Sequence, residues 1–488
     1  MPDAMKLTTR RTVLALALTA ALACGYDCGS KALAQDTRPA AVVVRLASEG
    51  DPVSAANDLP AGGTLLLPRG VTWKIPWARS LAPRDGVTIG AYGDRAKLHR
   101  PRLIFEGGSE AVRIAGKGVT LDSLDLVNVP GGKYVGVNAN GAVDAKIENC
   151  SIRAFRQNVL AEGARGLTLR GNLIADAYTL WPGQHAAGVY LYDTTGWVID
   201  RCAFVRNGRS SVYEHAVYVA ASCGPGTITG STFVANSSHG AQMRSGGDCL
   251  DSLFLDNPIG LSHGHVNGSA VYPGGVTGTL ERLVFVGGGK IAGQPRGYCV
   301  EFGNAAGTVA RDLLSAHDSQ KWDAPFVINA SLRVSNPADV AKPSRLELAR
   351  LFAYDWPGHP DRRGVLRTAT AATGKREDIR TLDPPAPVDL RALLGDVEAA
   401  ARRDPWTAAK PRVDAARKAL GLDGPATPPP PPEPTPEQLA ARQRIREIDA
   451  DLAVRAITIT ALAGQLKEHE DARAALVSER AERVKQAG

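Results

Sequence analysis

Along the middle of the chain, short apolar stretches alternate with turn-forming residues in a way that no helix period explains. Segments ending in an apolar anchor recur. They are Leu121-Asp122-Ser123-Leu124-Asp125-Leu126, Glu148-Asn149-Cys150-Ser151-Ile152, Arg170-Gly171-Asn172-Leu173-Ile174 and Asp200-Arg201-Cys202-Ala203-Phe204. Gly230-Ser231-Thr232-Phe233, Asp251-Ser252-Leu253-Phe254, Glu281-Arg282-Leu283-Val284-Phe285 and Arg311-Asp312-Leu313-Leu314 continue the series. The anchors are spaced 21 to 31 residues apart. Each unit also holds short apolar stretches such as Gly166–Leu169, Gly188–Tyr192 and Trp197–Asp200, separated by Gly, Asn, Asp or Pro. Strands this short cannot make hairpin cores of their own. Stacked in parallel, about 4.8 Å apart, they bury a continuous interior. Asn149, Asn172, Asn207, Asn236 and Asn257 recur with the units. They are expected at one corner, where asparagine tolerates a left-handed backbone.

Upstream, Asp58-Leu59-Pro60-Ala61-Gly62-Gly63-Thr64-Leu65-Leu66-Leu67-Pro68-Arg69-Gly70 precedes Gly86-Val87-Thr88-Ile89-Gly90-Ala91-Tyr92-Gly93. With the repeats, these stretches resemble the right-handed parallel β-helix proteins of the pectate-lyase-like superfamily over residues 40–350. The resemblance implies an all-β chain folded as a single-stranded solenoid. It does not select a reaction, because this superfold hosts lyases, hydrolases, epimerases, esterases and adhesins. A β-propeller is disfavoured because the units are too short for four-stranded blades.

The two ends read differently. Residues 1–34 resemble a bacterial signal peptide of the twin-arginine type, with Arg10-Arg11, an apolar run from Val13 to Ala23, and Ala32-Leu33-Ala34 before Gln35. An ordinary Sec signal and lipidation at Cys24 are the alternatives. The expected location is periplasmic or secreted, and no transmembrane segment is expected. Residues 351–424 are expected to form a helical extension, with helices over 387–403 and 413–420. Residues 425–436 form a proline-rich linker. Residues 437–488 carry Ile445, Leu452, Ile459 and Leu466 every seven residues. That seam predicts a long helix, either folded back on the body or in a coiled coil that joins copies of the chain or a partner helix.

Composition trims the possibilities. There are 51 glycines against 6% aromatic residues, which fits a turn-rich coil better than a helical enzyme. A net charge of +7 is mild for 488 residues and does not mark a nucleic-acid binder. Removing the signal leaves Cys150, Cys202, Cys223, Cys249 and Cys299. This is an odd set with no CxxC pair, read as buried thiols with a Cys223–Cys249 disulfide as the alternative.

Candidate chemistry gathers between residues 185 and 265. Aligning Val189–Tyr192, Val217–Ala220 and Ala241–Arg244 puts Tyr190, Tyr192, Tyr218, Gln242 and Arg244 outward. His215 and His239 stand 24 residues apart at the same place in adjacent turns, with Glu214 before His215. His185 precedes the earlier strand, shifted by one, and His263 and His265 lie one turn further on. On such a coil a linear polymer lies along a groove. β-Elimination of a uronic-acid polymer needs a base, an acid and a cation beside the carboxylate. His215 or His239 as base, Tyr218 (or Tyr190) as acid and Arg244 as clamp meet those needs. Tyr190, Tyr192, Glu214, Gln242 and His263 are the expected substrate contacts. C5-epimerisation needs the same parts. Hydrolysis needs two flanking carboxylates, and Asp193, Glu214 and Asp248 offer no pair on one strand. A non-catalytic polysaccharide-binding or surface-structural role is the third reading. The expected ligand is an acidic polysaccharide. No metal or other cofactor is assigned: Asp122 with Asp125 and Asp248 with Asp251 could suggest calcium but read as corner residues.

Overall fold

The computed structural model describes residues 42–129, 134–180, 184–209, 211–264, 271–288, 297–316, 324–329, 342–354 and 364–382. The expected export signal, the proline-rich linker, the heptad segment and both helices of the expected extension lie outside these residues.

The described chain winds as a parallel β-helix. A short helix, Pro52–Asp58, follows its first strand, Val43–Arg45, which pairs with Thr64–Pro68. Asp51 starts this helix by accepting the Val53 N–H at 3.0 Å, with proline following as the first helical residue. The helix drops Val53 and Ala56 into the same apolar interior that the strands fill, as the end of a solenoid requires. After it, each turn contributes strands to three columns. One column runs through Thr120–Asp122, Lys146–Glu148, Thr168–Arg170, Val198–Asp200, Gly226–Thr229 and Gly247–Leu250. The next runs through Asp125–Asn128, Ser151–Arg153, Leu173–Ala175, Ala203–Val205, Thr232–Val234 and Leu253–Leu255. The third is a ten-stranded parallel sheet from Glu110–Arg113 to Leu366–Thr368.

A single left-handed residue makes the corner between the first two columns. Ser123, Asn149, Gly171, Arg201, Gly230, Asp251, Arg282 and Asp312 occupy it in successive turns, with φ between 50° and 61°. The strand on each side is held by its neighbours above and below, which offsets the cost of a left-handed side-chain residue. Of the five asparagines expected at one left-handed corner, only Asn149 has this backbone. Asn172 lies one residue past that corner, buried, accepting the Cys150 N–H through Oδ1. Asn207, Asn236 and Asn257 belong to the next corner and form a buried amide ladder. Asn207 Nδ2 donates to Asn236 Oδ1 at 3.0 Å, and Asn236 Nδ2 to Asn257 Oδ1 at 2.8 Å. Their recurrence reflects satisfaction of buried backbone groups rather than tolerance of a left-handed turn.

The apolar anchors align as the repeat implies. Leu126, Ile152, Ile174, Phe204, Phe233, Phe254 and Phe285 pair in one register column. Only Leu314 departs, pairing with Val284. The four phenylalanines stack with centroids 4.6–4.8 Å apart, the spacing of the strands themselves. The third sheet is drawn tightly against this column. At Gly240 a Cβ would lie 2.6 Å from the Phe254 ring and 2.7 Å from the Gly260 carbonyl oxygen, so only glycine fits.

The coil runs past residue 350. Ser344–Tyr354 pairs in parallel with Arg376–Leu382, and Leu366–Thr368 closes the ten-stranded sheet. The helical extension expected from residue 351 is therefore replaced by strands at 351–354 and across most of 366–382. Leu351 and Ile379 continue the register column of Leu283 and Leu313, directly after their left-handed corners. Cys150, Cys202, Cys223, Cys249 and Cys299 are buried free thiols, and burial pushes Cys150 and Cys202 up to about 12. The candidate calcium aspartates have other occupations. Asp125 is paired to Arg102 and Arg153, Asp251 to Arg282, Asp122 accepts from Asn149, and Asp248 accepts the Thr279 N–H.

Candidate functional site

The ten-stranded sheet carries the polar cluster on its outer face. Strands Ala186–Tyr192, Glu214–Val219 and His239–Met243 lie side by side. Val189, Val217 and Ala241 share one inward position, and Leu191, Val219 and Met243 another, all buried. Alternation then turns Tyr190, Tyr218 and Gln242 outward in a single register row. Tyr190 and Tyr218 stack with centroids 4.6 Å apart and planes 9° from parallel.

Two residues before the Val217–Ala241 pair stand His215 and His239, on neighbouring turns. Their Nδ1 atoms are 3.2 Å apart, and Ser238 Oγ lies 2.9 Å from His239 Nδ1. With both rings neutral, an Nδ1–H of one would donate to the Nδ1 lone pair of the other. The donating ring keeps a lone pair on Nε2, and the accepting ring carries N–H there. Such a pair would offer one basic and one acidic nitrogen from the same residue type. The His215 ring centroid lies 5.4 Å from that of Tyr218.

Arg244 spans the cluster. Its guanidinium carbon sits 4.8 Å from the Tyr218 centroid, and no carboxylate among the described residues pairs with it. Burial pushes the Tyr218 hydroxyl above its ordinary range, opposed by the Arg244 charge and the hydrogen bond from Tyr190. Burial likewise raises Tyr190 to about 12. Both phenols are protonated at neutral pH. A Tyr218 phenolate formed by giving up its proton has a cation and a hydroxyl donor ready to hold it.

His185 joins this group. Register places Ala187 opposite His215, so His185 is offset by two positions rather than one. Its ring lies 6.0 Å from Tyr218, 6.2 Å from Tyr190, 5.2 Å from Tyr213 and 6.4 Å from His215. Burial, then Arg244 and Arg156, hold its pKa below the ordinary histidine range, so the ring is neutral at pH 7. Tyr213 and Tyr192 flank the cluster, both with about half their surface exposed. His185 and Tyr213 are absent from the expected set. Tyr213 precedes its strand, and alternation along the strand gives no direction to a residue there.

Two expected contacts point elsewhere. Glu214 is 2% exposed, and its Oε2 accepts the Arg209 and Ser211 N–H groups at 2.7 and 3.1 Å, closing its own turn. His263 is the register partner of inward-facing Met243 and is fully buried. Its Nε2 lies 3.1 Å from the Gly247 carbonyl, to which it donates, and burial pushes its pKa down to about 4. It is a core residue, so its expected contact with substrate is withdrawn.

One feature sets this face apart. Among the described residues, the buried side-chain polar atoms lacking a hydrogen-bond partner are His185 Nδ1, Gln242 Oε1 and Arg244 Nε. All three belong to residues around Tyr218. Buried polar groups are nearly always satisfied, and these three exceptions fall together on one face.

The family model described as "Right handed beta helix region" matches residues 102–257. Over those residues the chain is similar to right-handed β-helix proteins, in keeping with the parallel coil of its described strands. No curated protein matches the sequence. Among solved structures, the protein titled "Geobacillus virus E2 - ORF18" is 12% identical with a TM-score of 0.40, covering 53% of this chain and 50% of its own. An alginate lyase from Paenibacillus sp. str. FPU-7 is 13% identical with a TM-score of 0.36, covering 70% of this chain and 98% of its own. PfbA, a surface adhesin of Streptococcus pneumoniae, is 9% identical with a TM-score of 0.40, covering 68% and 87%. Such distant likenesses reach no further than the coil, and the chemistry has to be read from this chain's own residues.

Proposed function

We propose that this β-helix protein is a polysaccharide lyase that cleaves a uronic-acid-containing polymer by β-elimination. The observation that carries the reading is the guanidinium of Arg244, half-buried over Tyr218, with no carboxylate partner among the described residues and its Nε unsatisfied. A substrate carboxylate is the natural complement of such a fork. Pairing with it lowers the cost of the charge that builds on the carboxylate when the neighbouring carbon loses its proton. The lone-pair Nε2 of the His215–His239 couple serves as base. Tyr218, held protonated, gives its proton to the departing glycosidic oxygen, and Arg244 and Tyr190 then stabilise the phenolate. Gln242 Oε1 supplies an acceptor for a sugar hydroxyl, and Tyr192 and Tyr213 offer ring faces to flanking sugars.

Hydrolysis fits this face less well. Glu214 is committed to its turn, and Glu301, three turns on, takes the Ser262 hydroxyl and the Asn329 amide. Neither is a free member of a carboxylate pair. C5-epimerisation would use the same groups, with the proton returned to the opposite face of the same carbon. The site of action proposed is the periplasm or the medium, in keeping with the twin-arginine-like leader at residues 1–34. Self-association or docking of a partner helix is assigned to 437–488.

The test is a panel of alginate, pectate, glucuronan and glycosaminoglycans followed by the ultraviolet absorbance of the unsaturated uronate. Absorbance should rise with at least one polymer. Arg244→Ala and His239→Ala should each slow the rise by about two orders of magnitude or more. Solvent-proton exchange without absorbance change would point to the epimerase. Polymer binding with neither signal would leave a binding protein.

A further inference from the structure

A second concave site lies on a different face, at the corner between the first two strand columns and nearer the start of the coil. It encloses roughly 520 Å³, within the ~300–1,000 Å³ range of small-molecule pockets. Five arginines line it: Arg69, Arg95, Arg100, Arg102 and Arg153. Asp125, 5% exposed, is the only carboxylate among the described residues of the lining. It accepts from Arg102 Nε at 2.6 Å and from Arg153 Nη2 at 3.0 and 3.1 Å. Arg153 Nε donates to Ser151 Oγ, and Arg100 Nε to the Asn149 carbonyl at 2.6 Å.

Three of the guanidinium groups are therefore pinned at their inner nitrogens. Among the described residues, no hydrogen bond or ion pair takes the terminal nitrogens of Arg100 or Arg102, or Nη1 of Arg153. The side chains of Arg69 and Arg95 make no hydrogen bond or ion pair there either. Burial, and then the charges of Arg100 and Arg95, press the Arg69 pKa below its ordinary value. Like charges gathered in this way oppose one another and are stabilised by an anion of more than unit charge. A carboxylate engages one fork. Three guanidinium groups from the turn and loop residues Arg69, Arg95 and Arg100, beside the strand residues Arg102 and Arg153, offer enough N–H donors for the oxygens of a tetrahedral dianion.

We propose that this corner pocket binds a phosphate or sulfate ester carried on a sugar-sized molecule, with Arg69, Arg95 and Arg100 as the principal contacts. The pinned Arg102 and Arg153 complete the cradle, and the remaining volume takes the group that carries the ester. This site lies on another sheet from the Arg244 cluster, and its ligand does not depend on the lyase reading.

The experiment is calorimetric titration of the full chain with glucose 6-phosphate, glucose 6-sulfate, glucuronate and glucose, at low salt in a buffer free of phosphate and sulfate. One or both esters should bind at least about tenfold more tightly than glucuronate, with glucose not binding. The tighter ester names the source. Arg69→Gln and Arg100→Gln should each weaken that ester about tenfold or more, while Arg244→Ala leaves it unchanged. Melting curves check that each variant folds. Arg95→Gln, at an exposed position whose side chain makes no hydrogen bond or ion pair among the described residues, provides an independent variant and should weaken binding several-fold. Failure of both esters to bind, equal binding of glucuronate, or unchanged affinity in the folded arginine variants would overturn the proposal. Loss of lyase activity in Arg244→Ala with ester binding intact separates the two sites.

Discussion

His263 shows what enclosure does to an imidazole. Buried with one carbonyl partner, it titrates at about 4 instead of 6.5. Between those values the unfolded chain binds the proton and the folded chain does not, so stability falls as the pH drops through that window. The loss by pH 4 is about 3 kcal/mol from this residue. His185, also pressed downward, adds a loss of the same sign below its unfolded value. Urea unfolding at pH 7 and at pH 4.5 should therefore show a lower midpoint in acid. His263→Gln should flatten part of that difference, and an unchanged slope would count against a neutral buried His263. At the candidate site, the outward row of Tyr190, Tyr218 and Gln242 was legible from strand alternation alone. His263 was legible by the same rule, since it repeats the inward place of Met243 one turn later. Glu214 was not legible, because its partners are backbone N–H groups of its own turn and side-chain type does not reveal them.

At the scale of strands and corners, stability comes from columns of like residues. Phe233 lies between Phe204 and Phe254 in the stacked column. Truncation to alanine removes contacts on both sides and opens a cavity that the rigid neighbours cannot fill. A loss of about 3–5 kcal/mol is expected in chemical denaturation. Asn236 has a different role. It accepts from the Asn207 N–H and side chain and donates to Phe204 O and Asn257 Oδ1. Asn236→Leu, close in volume, should still destabilise by about 1–3 kcal/mol, because it strands buried backbone groups. Should Asn236→Leu prove neutral, the amide ladder is dispensable. The recurrence of the asparagines was visible in the sequence. Their assignment to two corners was not, since it depends on where each strand ends.

For the whole molecule, each turn touches mainly the turns before and after it, so stability is nearly a sum of neighbouring interfaces. Amide exchange should be slowest in the strands that carry the phenylalanine column, from Ala203–Val205 to Val276–Val286, and faster toward Val43–Arg45 and Arg376–Leu382. Uniform protection would argue for a single cooperative unit instead. The sequence by itself determined the coil, because a repeated apolar anchor every few tens of residues, with strands too short to stand alone, leaves parallel stacking as the way to bury them. It also determined which side chains of the central strands face outward, because alternation is a local property of a strand. Only the tertiary structure decided how far the coil extends, since strand pairing beyond residue 350 rests on partners a full turn away. Only it drew His185 and Tyr213 to Tyr218, left Arg244 without a carboxylate partner among the described residues and gathered five arginines at one corner. These arrangements join residues a full turn or more apart in sequence, and stacking sets their distances.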